Sequence, residues 1–305
     1  MSKIIIGIHG MGNKPNCKLL QKWWKESLKE GLKLVGKHHL FRFKLVYWAP
    51  VLYASPLDES ITDKKNPLYL EERYQRGGDK TAPFQSNLRK KMRNRLNVQV
   101  DNLLLDEDGT LRFKGLTGFI LKNFVKDIDV YYGRNLEDNS RTEEKDAICK
   151  LLADKLRRHK RKKILLIAHS MGSIIALDVL NEYAPDVKIH TLVTIGSPLG
   201  IPVIRGRMLR EQGLSVDGKM KALTPENIEK AWYNLSDFED KVAFNYELQS
   251  DFIPNGKGIS PQDELVWNNY EFKGEENHHK SYGYLRCPEM AGAVSNFLRF
   301  RFFNK

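Results

Sequence analysis

This sequence has few cysteines, few long apolar runs and fewer acidic than basic residues. Its 305 residues include only 3 cysteines, an odd number at wide spacing: Cys17, Cys149 and Cys287. So few thiols predict reduced cysteines and a cytoplasmic protein rather than a disulfide framework. No run approaches the roughly 18 apolar residues of a membrane span, and the opening MSKIIIGIHG lacks the pattern of a secretory leader. The sequence therefore predicts neither a transmembrane helix nor secretion.

The shortage of acidic residues leaves a formal net charge of +12, from 50 Lys and Arg against 38 Asp and Glu. Such an excess is compatible with a polyanionic partner, for which an anionic membrane surface is the candidate. The interpretation that we favour is a basic surface that serves only solubility. No zinc-finger spacing and no aromatic RNA-binding motif accompanies the charge, so a nucleic-acid partner is not expected.

The most informative stretch runs from Lys162 to Leu180. Its apolar run Ile164 to Ile167 is short and continuous, as expected of a strand buried on both faces. From Ser170 onward the apolar residues fall at helical spacing. The intervening A-H-S-M-G predicts a tight turn between strand and helix that presents a serine hydroxyl, the geometry of a nucleophile elbow. The competing interpretation gives Ser170 only the role of a helix N-cap.

The rest of the chain alternates strands and helices, and 41% apolar residues suffice for one large core. We predict a mainly parallel sheet of about six strands, with helices on both faces, in a single α/β domain over 1–305. Residues 55–140, rich in charges and turn residues, are predicted to be a cap or lid inserted in that domain. The turn Asp106 to Gly109 is read as joining strands 103–105 and 111–113 rather than as a calcium loop. The predicted core strands are 3–9, 40–49, 164–167, 188–197, 230–236 and 264–272, and the clearest helices are 17–35, 142–160 and 289–302.

The loop after the first strand, H-G-M-G-N-K-P from His9, is compatible with two chemistries. A phosphate-binding loop would need its lysine directly after the second glycine, with serine or threonine next, and here Asn13 and Pro15 break that pattern. An oxyanion loop needs only a backbone N–H just after the His-Gly pair. The second interpretation also accounts for Ser170, and we favour it.

On the elbow, the His-Gly loop and the order Ser…Asp…His, the chain resembles lipase- and esterase-like serine hydrolases of the α/β-hydrolase superfamily. The resemblance implies a triad of Ser170, Asp240 and His279, with Asp237 and His278 as alternates for the acid and the base. The motif D-K-V, which begins at Asp240, favours Asp240 over Asp237, and N-H-H-K-S-Y around His279 favours His279 over His278. The oxyanion hole would use the N–H of Met171, directly after Ser170, and the N–H of Met11. Met11 lies in the oxyanion loop, which also contains His9, Gly10 and Gly12.

The resemblance implies acyl transfer to water through an acyl-enzyme, with carboxylic esters, lipid esters among them, as substrates. A thioesterase or amidase on the same triad, or a non-catalytic protein that binds membranes or polyanions, stays open as an alternative. Neither a metal nor an organic cofactor is expected. His9 is expected to brace its loop, and the ring of His169 is expected to turn away from the site.

Overall fold

The computed structural model describes residues 1–77, 103–105, 111–113, 126–133, 141–215, 220–243 and 247–299. A six-stranded sheet, parallel at every pairing, forms the centre of these residues. Along the sheet the strands lie in the order β6-β5-β4-β3-β1-β2. Their bounds are β1 Lys3–Ile8, β2 Phe43–Val46, β3 Lys163–His169, β4 Ile189–Ile195, β5 Ile228–Asp237 and β6 Pro261–Val266.

This sheet confirms the predicted six-stranded, mainly parallel architecture, with differences in two strands. β2 is shorter than the predicted 40–49. β6 ends at Val266, and the predicted continuation instead forms a separate strand, Glu271–Phe272, antiparallel to Glu275–Glu276. The chain leaves the sheet after β6 because Asn268 donates its backbone N–H to a side chain, the carboxylate of Asp237, instead of to a strand.

Helices cover both faces of the sheet, as predicted. One face carries the long amphipathic helix and the last two helices, and the other carries the three central ones. Strand side chains alternate between the two cores: Ile4 and Ile6 point into one, and Ile5 into the other. The helices are α1 Cys17–Leu34, α2 Glu143–Arg157, α3 Met171–Asp178, α4 Pro202–Glu211, α5 Ser281–Arg286 and α6 Pro288–Leu298.

Local sequence explains where two of these helices begin. Asn16 caps α1, since its side-chain oxygen accepts the backbone N–H of Leu19 at 3.0 Å. Thr142 caps α2 in the same way through the N–H of Lys145, also at 3.0 Å. The short helix α5 was not predicted as an element of its own. None of the helices within the described ranges is both long and apolar enough to cross a bilayer.

Only parts of the predicted 55–140 insertion are described. They are residues 55–77, two short strands and residues 126–133, most of which are helical. The strands Leu103–Leu105 and Leu111–Phe113 pair antiparallel, as the predicted hairpin requires. The basic run from Arg89 to Arg95 lies outside the described residues. That the insertion acts as a cap or lid stays a prediction.

Candidate active site

Ser170 occupies the sharp turn between β3 and α3. Its backbone has φ 54° and ψ −129°, a region that residues other than glycine rarely enter. The strand ends at His169 and the helix starts at Met171, so one residue absorbs the whole change of direction. The N–H of Ser170 donates to the carbonyl of Ile195 in β4 at 3.0 Å, which ties the turn to the sheet.

Two glycines let the loop after β1 lie directly against this turn. A Cβ on Gly10 would stand 2.6 Å from the Cβ of Ser170. A Cβ on Gly172 would stand 2.9 Å from the carbonyl oxygens of Ile8 and His9. Contacts this short do not occur for real Cβ atoms, so any side chain at either position would push the loop away from the serine.

The imidazole of His279 lies between the serine and a carboxylate. Its Nε2 is 2.9 Å from Ser170 Oγ, and its Nδ1 is 3.0 Å and 2.9 Å from the two carboxylate oxygens of Asp240. A carboxylate only accepts, so Nδ1 carries the proton and donates it, and Nε2 accepts the serine hydroxyl. Asp240 follows β5, and His279 follows the hairpin after β6. The three side chains form one hydrogen-bonded line.

Asp240 is buried, and its negative charge is compensated from several directions. The Tyr284 hydroxyl donates to Oδ2 at 2.7 Å, and the N–H groups of Val242 and Ala243 donate to Oδ1 at 2.9 Å and 3.3 Å. Burial alone would raise the pKa of this carboxyl, but the imidazole of His279 and these donors hold the pKa below its ordinary value. Asp240 is therefore positioned as a permanent anion behind His279.

The two alternates, Asp237 and His278, face each other instead. His278 Nδ1 is 3.5 Å from Asp237 Oδ1, while its Nε2 is 2.8 Å from Glu239 and 3.4 Å from Glu276. Asp237, and then the two glutamates, raise the pKa of His278 to about 9. The ligand-type atoms of His278, Glu239 and Glu276 lie within 4.8 Å of one another, the one such group found in the described part of the chain. We interpret it as an ion cluster in which the imidazolium supplies the positive charge.

His9 braces the oxyanion-type loop, as predicted from its position. Its Nδ1 donates to the carbonyl of Gly10 at 2.7 Å, and its Nε2 accepts the backbone N–H of Trp48 at 3.1 Å. The indole of Trp48 stacks on the ring and donates to the His9 carbonyl at 2.8 Å. Burial, with the nearby Lys14 charge, lowers the pKa of His9 to about 3. Both ring nitrogens are engaged and the ring is neutral, so His9 holds the loop.

The ring of His169 does not turn away from the site, and that expectation is wrong. It lines the same cavity as Ser170, with its centroid 4.9 Å from that of His279. Its Nε2 donates to the backbone carbonyl of His279 at 2.8 Å. Burial, followed by the charge of His279, holds the pKa of His169 well below its ordinary value. A neutral His169 thus fixes the backbone of the residue that contacts the serine.

Lys14 and Asp127 hold the loop that contains Met11 through hydrogen bonds to its backbone. Lys14 Nζ donates to the carbonyls of Met11 and Gly12, and the N–H of Gly12 donates to Asp127 Oδ2 at 2.6 Å. Burial and the neighbouring ammonium of Lys280 lower the pKa of Lys14 to about 7. The Gly12 N–H is thereby occupied. Of the residues predicted for the oxyanion hole, Met11 lies in this loop and Met171 opens α3.

A cavity of about 900 Å³ opens beside Ser170. Much of its wall is apolar, and segments on either side of the sheet contribute to it, including residues of the 55–77 stretch. The apolar part includes Leu20, Trp24, Leu52, Leu57, Leu70 and Tyr282. Lys14, Lys280 and Glu72 also line it, and Lys280 forms an ion pair with Glu72. The space suits a mostly apolar group that reaches the serine.

Three residues that sequence reasoning missed contribute to this arrangement. Tyr284 links the two acids, since its hydroxyl donates to Asp240 and accepts the N–H of Asp237 at 2.8 Å. Asn268 donates to the carbonyls of His278 and Lys280, at 2.7 Å and 2.8 Å, and so holds the histidine loop. Asp127 holds the oxyanion-type loop. Of the three, only Tyr284 could have been found from the sequence, because it lies in the motif Y-G-Y shortly after His279.

Comparison with known proteins agrees with this fold. The profile of a family described as "PGAP1-like alpha/beta domain" matches residues 87–228. The matched range, just under half of the chain, includes the elbow at Ser170 but neither Asp240 nor His279. A search of curated proteins finds no match. The PGAP1-like domain is a family of the α/β-hydrolase superfamily, and the parallel sheet is consistent with it.

Proposed function

We propose that this chain, which belongs to the α/β-hydrolase superfamily, cleaves carboxylic esters with Ser170 as nucleophile, His279 as base and Asp240 as the orienting acid. The observation that carries the proposal is the hydrogen-bonded line from Ser170 Oγ through His279 to Asp240, at 2.9 Å and 2.9–3.0 Å. A serine hydroxyl is a weak nucleophile at neutral pH and needs such a base within hydrogen-bonding distance.

The proposed reaction has two acyl-transfer steps. Ser170 Oγ attacks the ester carbonyl while its proton passes to His279 Nε2, and the anionic Asp240 stabilises the imidazolium. The oxyanion that forms accepts the N–H groups of Met11 and Met171. The C–O bond to the alcohol then breaks, and His279 returns the proton to the departing alcohol. Water, deprotonated by His279, attacks the acyl-enzyme and releases the carboxylic acid and free Ser170.

The cavity supports an ester with a sizeable acyl group. Its volume, about 900 Å³, lies at the upper end of the range for small-molecule pockets, and the apolar residues of its wall match a hydrocarbon chain. Lys14 and Lys280 in the same wall would suit a polar or anionic alcohol. Esters rank above thioesters and amides in this proposal, and a substrate panel separates the three.

Substitution of Ser170 by alanine tests the proposal. We expect wild-type protein to react with a fluorophosphonate probe and to hydrolyse short p-nitrophenyl esters. Ser170→Ala should lose labelling and lose about 10⁴-fold or more in kcat, with little change in Tm. Ser250→Ala, on the exposed surface, is the matched control and should behave as wild type.

Three outcomes would contradict the proposal in different ways. Labelled, active Ser170→Ala protein would exclude Ser170 as the nucleophile. Faster Ser170-dependent cleavage of matched thioesters or amides than of esters would replace the substrate class. Wild-type protein that neither reacts with the probe nor cleaves any of the acyl substrates would indicate a non-catalytic role.

A further inference from the structure

We propose that Asp127, in the segment 126–133, is a positioning residue that holds the oxyanion loop at its working distance from Ser170. The segment, here called the brace, lies more than 100 residues from the loop in the chain. The inference rests on the proposed function, because it concerns the loop that carries the Met11 N–H.

The first observation is that a buried carboxylate from a distant segment binds this loop at Gly12. Gly12 gives its backbone N–H to the Asp127 carboxylate at 2.6 Å. The second carboxylate oxygen of Asp127 accepts the hydroxyl of Tyr53 at 2.7 Å. Asp127 is buried, with 1% of its surface exposed. A buried carboxylate that accepts a backbone N–H and a phenol forms strong, directed hydrogen bonds, so it fixes the loop at Gly12.

The second observation is the charge on the other side of the loop. Lys14 donates to the carbonyls of Met11 and Gly12, while Asp127 accepts from the N–H of Gly12. The peptide groups that follow Met11 therefore lie between the Lys14 amine, which donates to their oxygens, and the Asp127 carboxylate, which accepts a neighbouring N–H. This arrangement polarises and orients these peptide groups. Directly before them is the peptide group whose N–H, that of Met11, the proposed function assigns to the substrate oxygen.

The third observation is that the brace is itself anchored to the elbow helix. The Tyr131 hydroxyl donates to Asp178 Oδ2 at 2.7 Å, and Asp178 lies at the end of α3. Lys145 forms an ion pair with the same carboxylate at 3.0 Å, and Thr142 donates to the carbonyl of Tyr131 at 2.9 Å. Ile128, Tyr131 and Tyr132 are buried in the core below α3.

These contacts connect the two sides of the proposed oxyanion hole through one segment. Asp127 fixes the loop with Met11, and Tyr131 fixes the helix that begins with Met171. A displacement of Asp127 would change the distance between the two N–H groups without touching the triad. Oxyanion stabilisation depends steeply on that distance, so the effect should appear in the transition state rather than in substrate binding.

Substitution of Asp127 tests the inference. Asp127→Ala removes both acceptor oxygens. Asp127→Asn keeps the shape of the side chain and one of its two acceptor oxygens. The controls are Ser170→Ala and Asp154→Ala, an exposed aspartate on α2. For each variant we would measure kcat and KM for a short p-nitrophenyl ester, per active site titrated with fluorophosphonate. A second readout is the Ki of a trifluoromethyl ketone, which forms a tetrahedral oxyanion on the serine.

We expect Asp127→Ala to lose about 10- to 100-fold in kcat per active site, with KM changed less than about threefold. The Ki of the ketone should rise by a similar factor, and Asp127→Asn should fall between alanine and wild type. If the alanine variant does not fold, the asparagine variant carries the test. A purely structural role would lower Tm or the number of titrated sites and leave both kcat per site and Ki unchanged, and that result would overturn the inference.

The two proposals fail in distinguishable ways. Ser170-dependent turnover that is insensitive to Asp127 would overturn the inference and leave the proposed function in place. A wild-type protein without Ser170-dependent turnover would overturn both.

Discussion

Ser170 adopts a backbone conformation that is unfavourable for any residue with a side chain. A backbone in such a region costs about 1–3 kcal/mol and persists only where its surroundings impose it. Here the surroundings are a strand paired on both sides, a helix that starts at the next residue and the glycine-lined contact with the loop after β1. The sheet supplies the rigidity, and the serine hydroxyl is held toward His279.

The neighbouring acid and base pairs provide a prediction at the residue scale. Asp240 contacts His279, whereas Asp237 contacts His278 within a separate ion cluster. We expect Asp240→Asn and His279→Ala each to lower kcat/KM by about 10³-fold or more. Asp237→Asn and His278→Ala should lower it less than about tenfold. Kinetics on one short ester, with Tm as a check of folding, gives the ranking, and the reverse ranking would assign the triad to the other pair.

At the scale of elements, the sheet direction determines where the side chains of the site meet. The loop after β1, the turn after β3 and the segment after β5 all leave the carboxyl edge of one parallel sheet. Parallel strands deliver their carboxyl ends to the same edge, so residues far apart in sequence converge there. The same topology leaves the amino edge free of any proposed site residue.

The packing of α1 on α5 gives a prediction at this scale. A Cβ on Gly31 of α1 would stand 2.8–2.9 Å from the backbone of Arg286, whereas a Cβ on Gly292 of α6 would have nothing within 4 Å. Alanine stabilises an open helix position by about 1 kcal/mol relative to glycine. Gly292→Ala should therefore stabilise the protein by about 0.5–1 kcal/mol. Gly31→Ala should destabilise it by about 1–3 kcal/mol because the helices are forced apart.

Urea denaturation of the two variants beside wild type measures both effects. The pair shares one substitution chemistry and one type of secondary structure, so its difference isolates the packing contact. Equal shifts of the same sign in Gly31→Ala and Gly292→Ala would contradict the close contact of α1 with α5.

At the scale of the whole molecule, the net charge of +12 is the feature without an assigned role. We propose an anionic membrane surface as its partner, because lipid esters are among the expected substrates and lie in membranes. The basic run from Arg89 to Arg95 lies outside the described residues, so the proposal rests on its sequence alone.

Vesicle binding tests this proposal. Binding to vesicles with anionic lipid should exceed binding to neutral vesicles and should weaken steeply as salt rises through about 0.1–0.5 M. Arg89→Glu with Lys90→Glu should weaken it more than Lys18→Glu with Lys22→Glu on α1, which changes the net charge equally. Binding that does not depend on salt, or no binding at all, would contradict a membrane partner. The positive charge would then serve only the solubility of the protein.

The sequence by itself determined the architecture and the candidate nucleophile. Six apolar strand segments, the helical period of α1 and the small-residue turn around Ser170 are local patterns, and each reflects burial on one or two faces. Such patterns predict the order of elements, and the right-handed crossover rule then limits how parallel strands can be arranged. The prediction for the end of β6 is wrong because Asn268 donates its backbone N–H to the distant side chain of Asp237 instead of to a strand.

Only the tertiary structure decided which side chains meet. It brings Asp240 rather than Asp237 to His279, turns the ring of His169 toward the site and delivers Asp127 from a distant segment to Gly12. No periodicity encodes these contacts, because each depends on where separate elements pack and on buried polar groups that must find partners. A motif can place a residue in the right loop, whereas the distance between two loops is a property of the folded chain.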